Sequence, residues 1–127
     1  MLKLEEQVIS LDLSKRLKEL GFEQESLFYW RTSSTSDSLA HLTYGLLDTK
    51  FSIYYSAYTC AELGEMLPQY IEVQVGIFYL RIEKENIYWK CGYAKFDSKN
   101  FLFGEQSLTE AEARAKMLIY LKENGLC

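Results

Sequence analysis

The 127-residue sequence contains a single proline, a single histidine and three cysteines, and each scarcity removes a class of protein. With so little proline, 48% hydrophobic residues and 15% aromatics, the composition is that of a globular chain and not of a disordered one. The lone histidine, His41, has no Cys or carboxylate at ligand spacing, so a zinc site or a His-based triad would have to be assembled from scattered residues. No metal and no cofactor is expected. Cys60, Cys91 and Cys127 form no CxxC pair and leave one over, which reads as free thiols in a reducing compartment. The seven glycines are isolated, with neither GxGxxG nor P-loop spacing, so a glycine-rich phosphate cradle is unsupported. Long apolar runs are missing as well. The N-terminus, Met1-Leu2-Lys3-Leu4-Glu5-Glu6, lacks the core of a secretory signal, and no stretch approaches the roughly 20 apolar residues that cross a bilayer. A cytoplasmic protein without membrane contact is the expectation. A net charge of −4 argues against a phosphate-binding surface spread over the whole molecule, so nucleic acid is not the expected partner, although a local basic patch stays open.

What the chain does contain is well-punctuated secondary structure in a length suited to one domain. Ser10 is a candidate N-cap and Gly21 a stop for a helix from Leu11 to Leu20, whose narrow stripe of Ile9, Leu13, Leu17 and Leu20 would cover the edge of a core. Leu27-Phe28-Tyr29-Trp30 reads as a short strand buried on both faces. The hydroxyl-rich tract beginning at Thr32 has little to bury, and residues 32–50 are expected to form a mobile loop. A strand follows from Phe51 to Ala57. Thr59 and Glu62 have capping-box spacing for a short helix that Pro68 ends, with Leu63, Met66 and Leu67 on its apolar side. From Ile71 to Tyr79 the apolar period is two, which predicts one long strand. Turns at Lys84-Glu85-Asn86 and Asp97-Ser98-Lys99-Asn100 then link three antiparallel strands. In the last helix Ser107 and Glu110 have capping-box spacing, Asn124-Gly125 supplies the stop, and Leu108, Ala111, Ala115, Met117, Leu118, Ile119 and Leu121 sweep an apolar arc of roughly 200°. The order of elements predicts a single α+β domain: one mixed or mainly antiparallel sheet of about five strands packed with helices, an α/β/α-like sandwich.

Candidate chemistry is sparse. Cys60 falls on the first turn of a predicted helix, where the dipole favours a thiolate, but a packed thiol is the commoner outcome. The acid pairs Glu83 with Glu85 and Glu62 with Glu65 sit on predicted turns or helix faces and read as solvated. No catalytic constellation is present, and a non-enzyme is expected. Between Phe51 and Leu80 there is no Lys or Arg, while Glu62, Glu65 and Glu72 stand among Tyr54, Tyr55, Tyr58, Tyr70 and Tyr79. One reading makes these tyrosines ordinary sheet residues with hydroxyls at the rim. The other makes Tyr54, Tyr58, Glu62 and Glu65 a recognition surface for a basic protein partner, since tyrosine is enriched at interfaces. Arg114 lies inside the apolar arc of the last helix. It can snorkel, pair with a buried carboxylate, or mark an anion site.

Three phrases carry a resemblance: Ser10 to Trp30, Thr59 to Pro68, and Thr109 to Leu121. They resemble a group of small uncharacterised proteins of bacteriophages, prophages and other mobile elements, some of which are similar to the domain type called the phage ABA sandwich. The resemblance covers about half the chain and implies a sheet between helical layers and a bacterial host cell, with no catalytic residues to carry over. The expected function is that of a non-enzymatic phage or prophage accessory protein that binds a host or phage protein, including inhibition of bacterial defence. The alternative is a protein that binds a nucleotide or metabolite in a pocket between sheet and helix. Self-association stays open.

Overall fold

A computed structural model describes residues 3–33, 40–45 and 52–127, and among them it contains four helices and seven strands in an α+β arrangement. Helices α1 (Leu4–Gln7) and α2 (Leu11–Glu19) precede strands β1 (Phe28–Ser33), β2 (His41–Tyr44) and β3 (Ser52–Ser56). Helix α3 (Cys60–Met66) leads to β4 (Tyr70–Val73), β5 (Gly76–Glu85), β6 (Tyr88–Ala94), β7 (Phe101–Ser107) and the closing helix α4 (Glu110–Glu123). The expected single sheet of about five strands is two antiparallel sheets: three strands in the order β2-β1-β3, and a four-stranded meander β4-β5-β6-β7. Strand β2 falls within the stretch 32–50 expected as loop, and β1 already takes in Thr32 and Ser33. Residues 34–39 and 46–50 of that stretch, like Phe51, lie outside the described residues.

Local chemistry explains most element ends. Ser10 Oγ accepts from Leu13 N–H at 3.4 Å to cap α2, and Gly21 at φ 89° lets Phe22 N–H and Gly21 N–H return to the carbonyls of Leu17 and Lys18. The same double closure ends α4, where Gly125 has φ 67° and Leu126 N–H reaches Leu121 O at 2.8 Å. At the start of α4 the N-cap is Thr109 and not Ser107, because Ser107 remains in β7, paired with Trp89. Leu108 is correspondingly outside the helix and 64% exposed. The predicted strand from Ile71 to Tyr79 is broken into a hairpin: Val73 pairs with Gly76 across Gln74-Val75, and Gly76 takes φ 136°, which a side chain would disfavour. A two-residue turn shifts side-chain parity by one. Ile71 and Phe78 therefore point into the core while Tyr70, Ile77 and Tyr79 face outward. The expectation for Leu27 to Trp30 also changes, since Leu27 is 52% exposed and only Tyr29 of the four is buried.

Helix α4 packs between the four-stranded sheet and the other helices. Ala111, Ala113, Ala115, Met117, Leu118, Ile119 and Leu121 are buried, an arc wide enough to meet β6 and β7 on one side and α2 and α3 on the other. The N-terminal segment is stitched to the chain entering α3 by Ile9 N–H to Tyr58 O at 3.1 Å, and to the small sheet by Trp30 Nε1–H to Ile9 O at 2.8 Å. Arg16 joins Glu123 of α4 at 2.9 Å, but both side chains are exposed and solvent screens the pair.

A less exposed clasp joins the same two helices. Glu112, at the third position of α4, accepts from the Ser10 N–H at 3.2 Å instead of turning back to its own cap, and its other oxygen is buried without a hydrogen-bond partner among the described residues. Burial raises the Glu112 pKa, opposed by the Ser10 hydrogen bonds and by Lys116. A carboxyl whose folded pKa lies above its unfolded value favours the fold when protonated. Its contribution is lost as pH rises from about 4.3 through the folded value. The variant Glu112→Gln keeps an acceptor for Ser10 without the charge, so it is expected to be at least as stable as the parent at neutral pH and to lose part of the parent's fall in stability between pH 4 and 7. Urea midpoints across that range check this; superimposable profiles for the two proteins would refute it.

Candidate functional site

Three of the residues singled out by charge and tyrosine content meet in space. Tyr58, Glu62 and Glu65 line a groove of about 420 Å³ together with Phe22, Glu23, Glu25 and Met66. Helix α3 positions two of them: Thr59 Oγ1 accepts from Glu62 N–H, and Glu62 Oε1 accepts in return from Thr59 N–H at 2.9 Å, the reciprocal cap that the Thr59–Glu62 spacing predicts. Glu62 Oε2 reaches across to accept from Leu27 N–H at 3.1 Å. That bond ties the entry of β1 to α3 and brings the extended segment carrying Glu23 and Glu25 alongside. Residues two apart in an extended chain share a side, so both carboxylates face the groove.

The groove has four carboxylates and no Lys or Arg in its lining. Glu62 holds its own backbone contacts, whereas Glu23, Glu25 and Glu65 are exposed. Among the described residues no three His, Cys, Asp or Glu side chains come together tightly enough to hold a metal ion. The surface is therefore an electronegative concavity with an aromatic and thioether wall, suited to a cationic group presented on a larger molecule.

Tyr58 does not project as its sequence position suggests. It is 3% exposed, and its ring belongs to the core with Leu63 and Ile9. Burial raises the phenol pKa; the Ser56 hydroxyl opposes this, yet the two make no well-formed hydrogen bond and both oxygens are buried without a partner among the described residues. Tyr54 is also displaced from the groove. It lies on the same face of the small sheet as Tyr29, its ring edge-on to that of Tyr29 at 6.3 Å. Glu23, Glu25 and Phe22 are the lining residues that sequence reasoning passed over. Their only signal is alternate acids directly after a helix stop, and nothing in the sequence links them to α3.

Arg114 resolves as an ion pair. Its guanidinium bonds Glu110 one turn earlier in α4 and donates to Cys60 O at 3.1 Å, which pins α4 to the first turn of α3. A Cβ at Gly64 would meet the end of that guanidinium, so a larger residue there requires Arg114 to shift. Cys60 is not primed as a nucleophile: burial, then the Glu110 carboxylate, push its thiol up to about 11 against the opposing Arg114 charge. Burial likewise pushes Cys91 up to about 12, and all three cysteines are free thiols. His41 is exposed on β2, opposite Arg31.

A second concavity, about 480 Å³, lies where the first turns of α3 and α4 meet α1. Cys60, Ala61, Trp89 and Leu108 supply its apolar surface, and Glu6 and Glu110 are its carboxylates. No helix among the described residues is long and apolar enough to cross a membrane. No family model, curated protein or solved structure matches the chain.

Proposed function

We propose that this α+β protein is a non-enzymatic binding protein that engages a protein partner through the acidic groove beside α3. The observation that carries this reading is the convergence of Glu23 and Glu25 with Glu62 and Glu65 around a concavity lined by no cation. A basic loop or helix fits such a surface: Lys or Arg heads meet the carboxylates while their stems lie on Phe22 and Met66. The wider role, that of a phage or prophage accessory protein acting on a host or phage protein and inhibiting bacterial defence, rests on the resemblance of the three phrases.

The test is charge reversal at the exposed carboxylates, leaving the buried Tyr58 and the structural Glu62 alone. The double variant Glu23→Lys/Glu65→Lys is expected to keep its thermal midpoint within a few degrees, because surface changes of this kind cost roughly 0.5 kcal/mol or less each. It is expected to weaken capture of a basic partner from bacterial lysate at least tenfold, with the remaining affinity less sensitive to salt. Equal capture by parent and variant would defeat the groove as the binding surface.

The alternative, a nucleotide or metabolite binder, is favoured by the apolar cleft around Trp89 and Leu108, whose volume suits a small ligand. A thermal-shift panel separates the two readings, since a ligand at 100 times its dissociation constant adds about 2.7 kcal/mol.

A further inference from the structure

The outer face of the four-stranded sheet carries a row of large aromatic side chains that the groove does not use. Tyr70 and Tyr79 are cross-strand partners with ring centroids 6.3 Å apart, and the Phe96 ring stands 6.2 Å beyond Tyr79. These rings are 55%, 43% and 88% exposed, and no packing within the fold accounts for leaving Phe96 in water. Basic side chains adjoin them. A depression of about 400 Å³ is lined by Tyr79, Phe96, Arg81 and Lys95, with Leu80 and Ala94 beneath and no acid in its lining. Lys90 Nζ and the Arg81 guanidinium both lie over the Phe101 ring, at 4.6 and 5.6 Å, where the same face continues across β6 and β7.

On this face Arg81 of β5 and Lys90 of β6 stand among Glu83 and Glu85, and Lys95 follows directly after β6 beside Phe96. Glu83 lies 3.9 Å from Arg81 Nε and directly opposite Lys90 across β5 and β6, so it offsets part of the positive charge there, whereas Lys95 joins no ion pair among the described residues. π-faces open to solvent, interleaved with cations on an antiparallel sheet, present what an unpaired nucleotide offers surfaces to: a base to stack and a phosphate to neutralise. A duplex would hide its bases from Phe96 and Tyr79. We propose that this face binds single-stranded nucleic acid, with a base stacked on Phe96 and Tyr79 and the backbone running past Lys95, Arg81 and Lys90. The site is independent of the acidic groove, which lies beside α3.

Fluorescence anisotropy of the full chain with labelled oligothymidylate, oligouridylate and a duplex of equal length tests it, the first two distinguishing DNA from RNA. At least one single strand is expected to bind at low salt and the duplex to bind tenfold or more weakly. Three phosphate contacts on a single strand predict a log–log salt slope of about −2. Phe96→Ala removes an exposed ring and is expected to leave the melting curve unchanged while weakening binding about tenfold or more. Lys95→Glu is expected to weaken binding and flatten the slope. The proposal is overturned if neither single strand binds at low salt, if the duplex binds as well as the single strands, or if Phe96→Ala binds like the parent.

Discussion

Replacing Gly92 by alanine is expected to cost about 3 kcal/mol or more and to leave the four-stranded sheet unable to close. Gly92 of β6 lies opposite Gly104 of β7, and the two strands approach there without side chains between them. A Cβ on Gly92 would fall inside contact distance of the Phe103 carbonyl oxygen and lie 2.7 Å from Gly104 Cα, both of them backbone. The Phe101 ring, folded over the same position, would be 2.7 Å away. Backbone in a paired strand has no rotamer to yield with, so relief requires separating β6 from β7 and disturbing the surface against which α4 packs. Gly64→Ala is the instructive contrast. Its obstacle is the end of the Arg114 side chain, which can move, and the substitution gains up to about 1 kcal/mol of helix propensity. Urea denaturation separates the cases: a large drop in midpoint for Gly92→Ala and a small change for Gly64→Ala. A Gly92→Ala protein with the parent's midpoint would mean that the two strands do not approach as described.

The contrast between legible and illegible features follows the range of the forces involved. Caps are local, so Ser10, Gly21, Thr59 with Glu62, and Gly125 all act where the sequence places them. Turn residues are local too, and Asn86, at φ 53°, links β5 to β6 as its position predicts. Parity across a turn is not. The alternation from Ile71 to Tyr79 looks continuous, and only the use of Gly76 to reverse the chain sends Ile77 and Tyr79 to the opposite face from Ile71. Competition between neighbours is likewise hidden: Ser107 and Thr109 each precede a glutamate by three residues, and the strand register that holds Ser107 against Trp89 decides in favour of Thr109. The acidic groove was half legible. Glu62 and Glu65 are one helix turn apart and announce themselves, but Glu23 and Glu25 join them through long-range bonds, Leu27 to Glu62 and Ser56 to Gln24, between segments 35 and 32 residues apart.

The position of the α4 start is itself open to measurement, through two leucines that the apolar arc treats as equivalent. Leu118 is fully buried, on the part of α4 that meets the sheet and the other helices. Truncating it to alanine removes its packing contacts and leaves a cavity that the flanking Ala111 and Ala115 are too small to fill, at an expected cost of 2–5 kcal/mol on the scale of about 2–5 for buried leucines. Leu108, one residue before the Thr109 cap, is 64% exposed and touches little of the core, so Leu108→Ala is expected to change stability by roughly 0.5 kcal/mol or less. Had the helix begun after Ser107, Leu108 would occupy its first turn, on the same arc as Ala111 and Ala115, and both truncations would be costly. Equilibrium unfolding of the two variants therefore reads out the register of the helix that organises the fold. Comparable losses at the two positions would return the cap to Ser107 and bury Leu108 against the sheet. A loss confined to Leu118 keeps Leu108 where it is needed for the second reading of function, on the wall of the cleft beside Trp89 and Cys60.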